Sequence, residues 1–470
     1  MNDHQIRRLL DSRSPWRASE QWEADDPDLR SVAQLPLRYT PEPLADIRPP
    51  GLFVFRGPRR VGKSVELKRA IARLLLDGVD PKMIFYCSCD GLSKQDLRRM
   101  VAQGQNVTRT LSGPHWWFLD EITAVEGWSA IVKDLRDQST AFREACVVLT
   151  GSSARDLERA RSDLADRRGG IADSDRLLLP MGFRAFCRSL AGFEQVPQQL
   201  LRPKDLLTPQ AERAIWALEP WSDALADAWE LFLAVGGFPR AVGEFVAGGG
   251  VSDGFVQGMW DVIVGDALRV TRMSESDVAA LMGRLVEGMC SPLNTSKIAS
   301  DIGLSGHQAA ADRIDDLVEA FLAWRCHRVR DGRPNTAAQR KLYFLDPLIA
   351  RLTHRLNPSF PEPDISQLCQ QQIGLTLARS VSFTRPAAFV QSNGVMYERT
   401  ESESEIDFVG PQLEVPFECK YTDGSWRREA QTMRARHGRG VMVTRSPMVM
   451  GERESVWAVP ASILAWLLGG

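Results

Sequence analysis

Four short apolar runs, each ending in polar or glycine-rich sequence, mark the first third of the chain: Gly51-LFVF-Arg56, MIFYCSC at 83–89, HWWFLDEI at 115–122 and ACVVLTGSS at 145–153. VELKRAIARLLLDG, between the first two runs, is apolar at helical spacing. Strands that are apolar throughout and alternate with helices predict a parallel sheet covered on both faces. Chemistry in such sheets collects at the carboxyl ends of the strands. Residues 1–47 are polar and proline-dotted, an expected N-terminal arm, and residues 48–190 form the expected α/β core. Residues 191–285 read as helices broken at PQQLLRPKDLLTP, GGFPR and GGG. Residues 286–355 read as short helix, turn, longer helix and strands, and residues 356–470 as mixed helix and strand. No internal repeat or long low-complexity tract appears.

Composition changes this picture little. A chain of 470 residues with 44% apolar and 25% charged residues is in the range of soluble multidomain proteins, not disordered or collagen-like ones. No apolar run nears the roughly 18 residues that a membrane helix needs, and MNDHQIRRLLDSRSPW lacks the apolar core of a secretory signal. The expectation is a cytoplasmic protein with no membrane partner. The eight cysteines lack paired CxxC spacing and read as reduced core thiols, with a zinc site as the alternative. Net charge is −2, yet nine of the 58 basic residues are lysine and the rest arginine. That bias reflects a GC-rich genome or selection for bidentate phosphate contacts. A uniformly basic nucleic-acid binder is excluded, but local basic patches are not.

Gly57-Pro58-Arg59-Arg60-Val61-Gly62-Lys63-Ser64 fits G-x-x-x-x-G-K-[ST] and stands between an apolar strand and an amphipathic helix. Its glycines let successive N–H groups turn toward one anion, and the following helix, through Val65, adds its positive dipole end. Lys63 is placed to reach the β- and γ-phosphates of ATP, and the Ser64 hydroxyl to ligate Mg²⁺. The strand Trp116-Trp-Phe-Leu-Asp120-Glu121 delivers two carboxylates. The expected roles are Asp120 on Mg²⁺ and Glu121 as acceptor of the proton from the attacking water. Thr150 and Ser152, at the end of the next strand, are candidates to bond the water or the γ-phosphate. A water-activating carboxylate favours hydrolysis, which also calls for an arginine on the developing charge. Arg167, Arg168 and Arg176 are candidates, with a solvated surface role as the alternative, and Asp90 is a further candidate site residue.

Taken in order, GPRRVGKS, FLDEI, TGSS, LLLPMGFRAF, GGFPRAV, KLYFLD, EIDFV and FECKY resemble the AAA-like, archaeal-type P-loop ATPases that carry a C-terminal restriction-endonuclease-like domain of uncertain function. The resemblance spans about residues 50–425. It implies an α/β P-loop NTPase sheet with a helical lid, a winged helix, and a C-terminal α/β restriction-endonuclease-like domain. It also implies a homo-oligomer whose neighbours share ATP sites.

KIASDIGLS followed by an apolar-striped helix has the form of a helix-turn-helix, with Gly303 in the turn. The second helix carries His307, Gln308 and Arg313, but also Asp312, Asp315 and Asp316. The following segment offers Arg325, Arg328, Arg330, Arg333, Arg340 and Lys341 as candidate DNA contacts able to neutralise phosphates. Packing within the assembly is the alternative. Ten residues separate Asp407 from Glu418 in the sequence, and Lys420 shares the strand face of Glu418, which resembles a D…E-x-K nuclease core. Where the family has a glutamate on the helix opening this domain, the chain reads Gln370-Gln371-Gln372, which puts metal affinity in doubt; Glu398, Glu401, Glu403 and Glu405 are nearby acids. WRREAQTMRARHGR adds a candidate phosphate-facing helix. The leading expectation is a Mg²⁺-dependent ATPase coupled to DNA. The alternatives are a slow nucleotide-gated switch recruiting a protein partner, and an ATP-regulated metal-dependent nuclease.

Overall fold

In the computed structural model, the described residues are 1–151, 163–168, 170–171, 173–271, 273–382, 389, 394–400, 404–424 and 426–469. They form two compact units, Met1–Leu35 with Thr40–Leu179, and Pro36–Tyr39 with Pro180–Gly470.

The first unit is built on β1 (Gly51–Arg56), β2 (Ile84–Ser88), β3 (Trp116–Asp120), β4 (Cys146–Gly151) and β5 (Asp175–Leu177). All pairs are parallel and the order is β2-β3-β4-β1-β5. The four apolar runs thus supply β1 to β4. The short edge strand β5 comes from the segment that holds the three candidate arginines, and pairing to β1 overrides its polar composition. Successive side chains of each strand leave on opposite faces. Leu52, Val54, Phe85, Trp117, Leu119, Val147 and Leu149 accordingly fill one core layer. Phe53, Phe55, Tyr86, Phe118 and Val148 fill the other.

Met1–Leu35, most of the expected N-terminal arm, is part of this unit. Ile6 and Leu10, one turn apart on the capped helix Asp3–Ser12, enter the first layer. Trp16 and Trp22 enter the second, with ring centroids 5.3 Å apart. Lys68, on the helix Lys63–Leu76, bonds Asp26 at 2.7 Å and Asp28 at 2.6 Å and ties the segment to the helix that follows the glycine loop.

The second unit joins three segments that the sequence separates at 285 and 355. The helix Ala461–Leu468 is apolar all round and fully buried, as a helix inside a core must be. Leu201 donates to the carbonyl of Leu467, Trp466 donates to Pro197, and the Arg184 guanidinium lies 4.9 Å from the Trp466 ring centroid. β6 (Ala323–Cys326) pairs with β9 (Lys341–Phe344) as a separate antiparallel ribbon. The hairpin of β7 (Arg328–Arg330) and β8 (Arg333–Asn335) continues the C-terminal sheet. It does so through a parallel bridge from Arg328 to Tyr397 in β10 (Met396–Arg399). With β11 (Glu405–Val409), β12 (Phe417–Cys419), β13 (Gly440–Thr444) and β14 (Val456–Pro460) the order is β14-β13-β12-β11-β10-β7-β8.

Three of the family-like segments meet at Asp346. Its carboxylate accepts from Gly237 N at 2.7 Å and Leu348 N at 2.8 Å. A Cβ on Gly236 would stand 2.1 Å from Asp346 Oδ1, and one on Gly237 would stand 2.0 Å from Met181 O. Burial outweighs the two N–H donors and pushes the Asp346 carboxyl up to about 7. Between pH 4 and 7 the native chain therefore holds a proton that the unfolded chain has released, and this group's contribution to stability falls as pH rises, by at most about 1.4 kcal/mol per pH unit. Asp346→Asn is expected to remove that slope. Denaturant midpoints of both chains across this pH window check it.

Candidate functional site

The glycine loop occupies the carboxyl end of β1, next to β4 and beside the edge strand β5. Gly57 has φ 152°, and a Cβ there would stand 2.0 Å from the backbone oxygen of Leu178, so only glycine fits. Pro58 is buried, Arg59 is half-buried and Arg60 turns outward at φ 62°. Val61 is buried in the core and anchors the loop. Gly62 caps the helix Lys63–Leu76 in the left-handed region, φ 103°, with no side-chain cap on its first amides. Those amides and the dipole end form an anion site. Lys63 is 5% exposed, and its ammonium donates to Gly57 O and Pro58 O, each at 2.9 Å. Ser64 and Val65 open the helix, both half-buried.

Asp120, at the end of β3, is buried, and three hydroxyls hold its carboxylate. Ser64 Oγ donates to Oδ2 at 2.7 Å, Tyr86 Oη donates to Oδ2 at 2.9 Å, and Thr150 Oγ1 donates to Oδ1. β4 lies between β1 and β3, which is how Thr150 comes between the loop and the carboxylate strand. Thr150 Oγ1 also accepts from Glu121 N at 3.0 Å. Glu121 is half-buried and left-handed, φ 51°, ψ 44°, a conformation that costs an ordinary residue roughly 1–2 kcal/mol. Ser64 and Asp120 supply hard oxygen donors 2.7 Å apart, a set that fits Mg²⁺, which takes one or two protein ligands and completes its shell with phosphate and water.

Tyr86 belongs to no motif in the sequence, yet it holds the Asp120 carboxylate. Burial and the Asp120 carboxylate both raise its phenol pKa, so it stays a donor. The signal was available: Tyr86 sits two residues before the end of a strand that borders the carboxylate strand. Asp90, named instead, is exposed at the turn. Ser152 lies outside the described residues.

All three arginine candidates are held by acids of their own unit. Arg167 meets Asp137 at 2.8 Å, Arg168 meets Asp175 at 3.0 Å and Arg176 meets Asp46 at 2.9 Å. Asp175 also takes Arg56 at 2.9 Å.

In the second unit the nuclease-like residues do come together. Asp407 and Glu418, each 6% exposed, face one another across β11 and β12 next to the Phe408–Phe417 pair. Lys420 Nζ lies 3.2 Å from Glu418 Oε1. Gln370 Nε2, on the helix Ile365–Ser382, donates to Asp407 Oδ1 at 2.6 Å and to Tyr343 Oη at 3.1 Å. Burial, then the neighbouring Asp407, pushes the Glu418 carboxyl up to about 8. Glu405 pairs with Lys341 and Glu398 with Arg436, while Glu401 and Glu403 lie outside the described residues.

Of the six candidate DNA contacts, Lys341 is misplaced by the sequence reading: it has no exposure, and its ammonium meets Glu405 and, at 3.1 Å, Asp407. Burial works against that ammonium, yet the two carboxylates outweigh it and raise its pKa. Arg325 and Arg340 turn inward to share Asp315 at 3.3 and 2.9 Å, and Arg328 donates to the carbonyl of Arg399. Arg330 and Arg333 stay exposed at the hairpin tip. Asp315, expected to repel phosphate, is neutralised by those arginines, and Asp316 meets Arg313 at 3.4 Å.

All eight cysteines are unpaired and seven are buried. No three His, Cys, Asp or Glu among the described residues form a group able to hold a metal ion. No single helix among the described residues is long and apolar enough to cross a membrane.

A family model described as an AAA domain matches residues 50–187. Solved structures similar to the chain include a Walker-type ATPase of Pyrococcus abyssi, at 15% identity over 72% of this chain and 95% of that one, with a TM-score of 0.38. Another is the Aeropyrum pernix ORC1 protein in complex with DNA, at 15% identity over 70% and 92%, with a TM-score of 0.29. No curated protein matches the chain. The match to the AAA domain model, residues 50–187, covers the strand–loop–helix and carboxylate-strand geometry described above.

Proposed function

We propose that the chain is a Mg²⁺-dependent ATP hydrolase whose nucleotide state governs contact with DNA through its second unit. The observation that carries the hydrolase reading is the chain of contacts from Ser64 through Asp120 to Thr150 and on to the Glu121 amide. The first-turn amides and Lys63 bind the phosphates. Ser64 and Asp120 would hold Mg²⁺, which would supply neutralisation of phosphate charge. The Glu121 carboxylate accepts the proton of the attacking water, its backbone held by Thr150.

The arginine on the developing charge comes from a neighbouring copy in a homo-oligomer. Exposed ion pairs are worth roughly 0–1 kcal/mol and part readily. Asp137 and Asp46 have side chains 46% and 64% exposed, whereas Asp175 is 10% exposed and also holds Arg56. Arg167 can therefore leave its partner, whereas Arg176, 17% exposed, also lies over the Phe53 ring. Arg168 is a structural arginine, because parting it from Asp175 breaks a buried pair.

Arg330 and Arg333 are the DNA contacts that the geometry leaves to solvent, with His307 and Gln308 exposed on the second helix of the pair. ATP turnover measured with and without duplex and single-stranded DNA tests this reading. DNA is expected to stimulate turnover in the native chain, and the double variant Arg330→Ala/Arg333→Ala to weaken binding and lower the salt slope by about 2. Turnover indifferent to every DNA would favour the second reading, a slow switch that recruits a protein partner. That reading draws on the internal engagement of Arg325, Arg328, Arg340 and Lys341.

A further inference from the structure

We propose that Lys341 is the resident cation on the Asp407 side of the Asp407–Glu418 centre, its ammonium taking a carboxylate oxygen that a divalent metal would need. Every oxygen of the two carboxylates already has an internal donor. Asp407 Oδ1 takes Lys341 Nζ at 3.1 Å and Gln370 Nε2 at 2.6 Å, and Asp407 Oδ2 takes Cys419 N at 3.0 Å. Glu418 Oε2 takes Asp407 N at 3.0 Å, and Glu418 Oε1 takes Lys420 Nζ at 3.2 Å.

The two backbone donors explain why the acids are needed without a metal. β11 and β12 pair at Phe408 and Phe417, and at the next position each carboxylate takes an N–H from the opposite strand. The carboxylates thus close the hairpin where the ladder stops, and a buried N–H left open there would carry a desolvation cost. Glu418 has the Lys420 ammonium beside it, and the buried Asp407 carboxylate needs positive charge as well. Lys341, with no exposure, brings it from β9, and Glu405 takes a second face of the same ammonium. Gln370 completes the arrangement. A glutamate at 370 would add a negative charge beside Asp407, whose lysine is already shared with Glu405, while the amide donates to Asp407 and leaves the charge unchanged. Lysine at 341 and glutamine at 370 answer the same requirement from separate parts of the chain. Mg²⁺ requires near-octahedral oxygen ligation at about 2.0–2.1 Å, and binding it here requires expelling a buried ammonium. The centre therefore binds no metal and cleaves no phosphodiester; it locks β9 to the C-terminal sheet.

The test is Mn²⁺ titration of the full chain without nucleotide, with free Mn²⁺ read by electron paramagnetic resonance and folding checked by circular dichroism. Native protein, Asp407→Asn and Glu418→Gln are expected to bind the same number of ions. Lys341→Gln combined with Gln370→Glu is expected to gain one. A Mn²⁺ ion on the native chain that disappears in Asp407→Asn or Glu418→Gln overturns the proposal, as does a folded double variant that gains none. Should a variant fail to fold, a Mn²⁺-soaked crystal of the native chain decides: anomalous density between Asp407 and Glu418 overturns the assignment, and its absence supports it. Loss of ATP turnover would leave these readouts unaffected, so this result and the hydrolase reading fail separately.

Discussion

Lys63→Ala is expected to abolish detectable ATP binding. The ammonium is held at 2.9 Å by two carbonyls of its own loop, so its position is fixed by the loop itself. Removing it deletes the charge-assisted bonds to the β- and γ-phosphates, each worth about 1.5–3 kcal/mol. Losing two such bonds weakens affinity at least about a hundredfold. It also leaves the carbonyls of Gly57 and Pro58 without that donor, which loosens a loop that Gly57 fits by permitting close approach to Leu178. Calorimetric titration with Mg-ATP, alongside thermal unfolding without nucleotide, separates the two effects. Native affinity in a folded Lys63→Ala chain would remove the phosphate-loop assignment.

Glu121→Gln is expected to do the opposite: ATP still binds, within a few-fold of native affinity, and turnover falls by about 10²–10⁴. The amide keeps the shape but cannot take the proton of the attacking water. The backbone is expected to stay in place, because Thr150 holds Glu121 through its N–H and not through the side chain. Asp120→Asn should differ, since the carboxylate it alters accepts from Ser64, Tyr86 and Thr150 together. Single-turnover hydrolysis and retention of labelled ATP on a desalting column distinguish these variants. Native turnover in Glu121→Gln would exclude the carboxylate as base.

These two residues were legible in the chain because their signals are local. The P-loop spacing, the apolar strand before it and the striped helix after it all lie within about thirty residues, and the carboxylates follow directly on an apolar run. The four principal strands were legible for the same reason, since a strand buried on both faces shows itself as an unbroken apolar run. The edge strand β5 was not, because its residues acquire strand character only by pairing with β1.

The basic residues between 325 and 341 illustrate the other side. Six basic residues in a short stretch look alike by composition, yet the fold sends them to different places. Arg325 and Arg340 go to Asp315, Arg328 to a backbone carbonyl, and Arg330 and Arg333 to solvent. Lys341 goes to Asp407, 66 positions away. Charge patterning reports that basic residues are present but not which acid each will meet.

The sequence by itself determined the α/β core, the phosphate loop, the Asp120–Glu121 pair and the nearness of Asp407, Glu418 and Lys420, because each is encoded in residues adjacent along the chain or on neighbouring strands of one hairpin. Tertiary structure alone decided that β4 would bring Thr150 between the loop and Asp120, and that Tyr86 would hold the same carboxylate. It alone decided that Asp346 would join three distant segments and that a buried lysine would meet Asp407. Each of these depends on which strands become neighbours and on which buried charges must then be balanced, quantities set only when distant parts of the chain exclude water together.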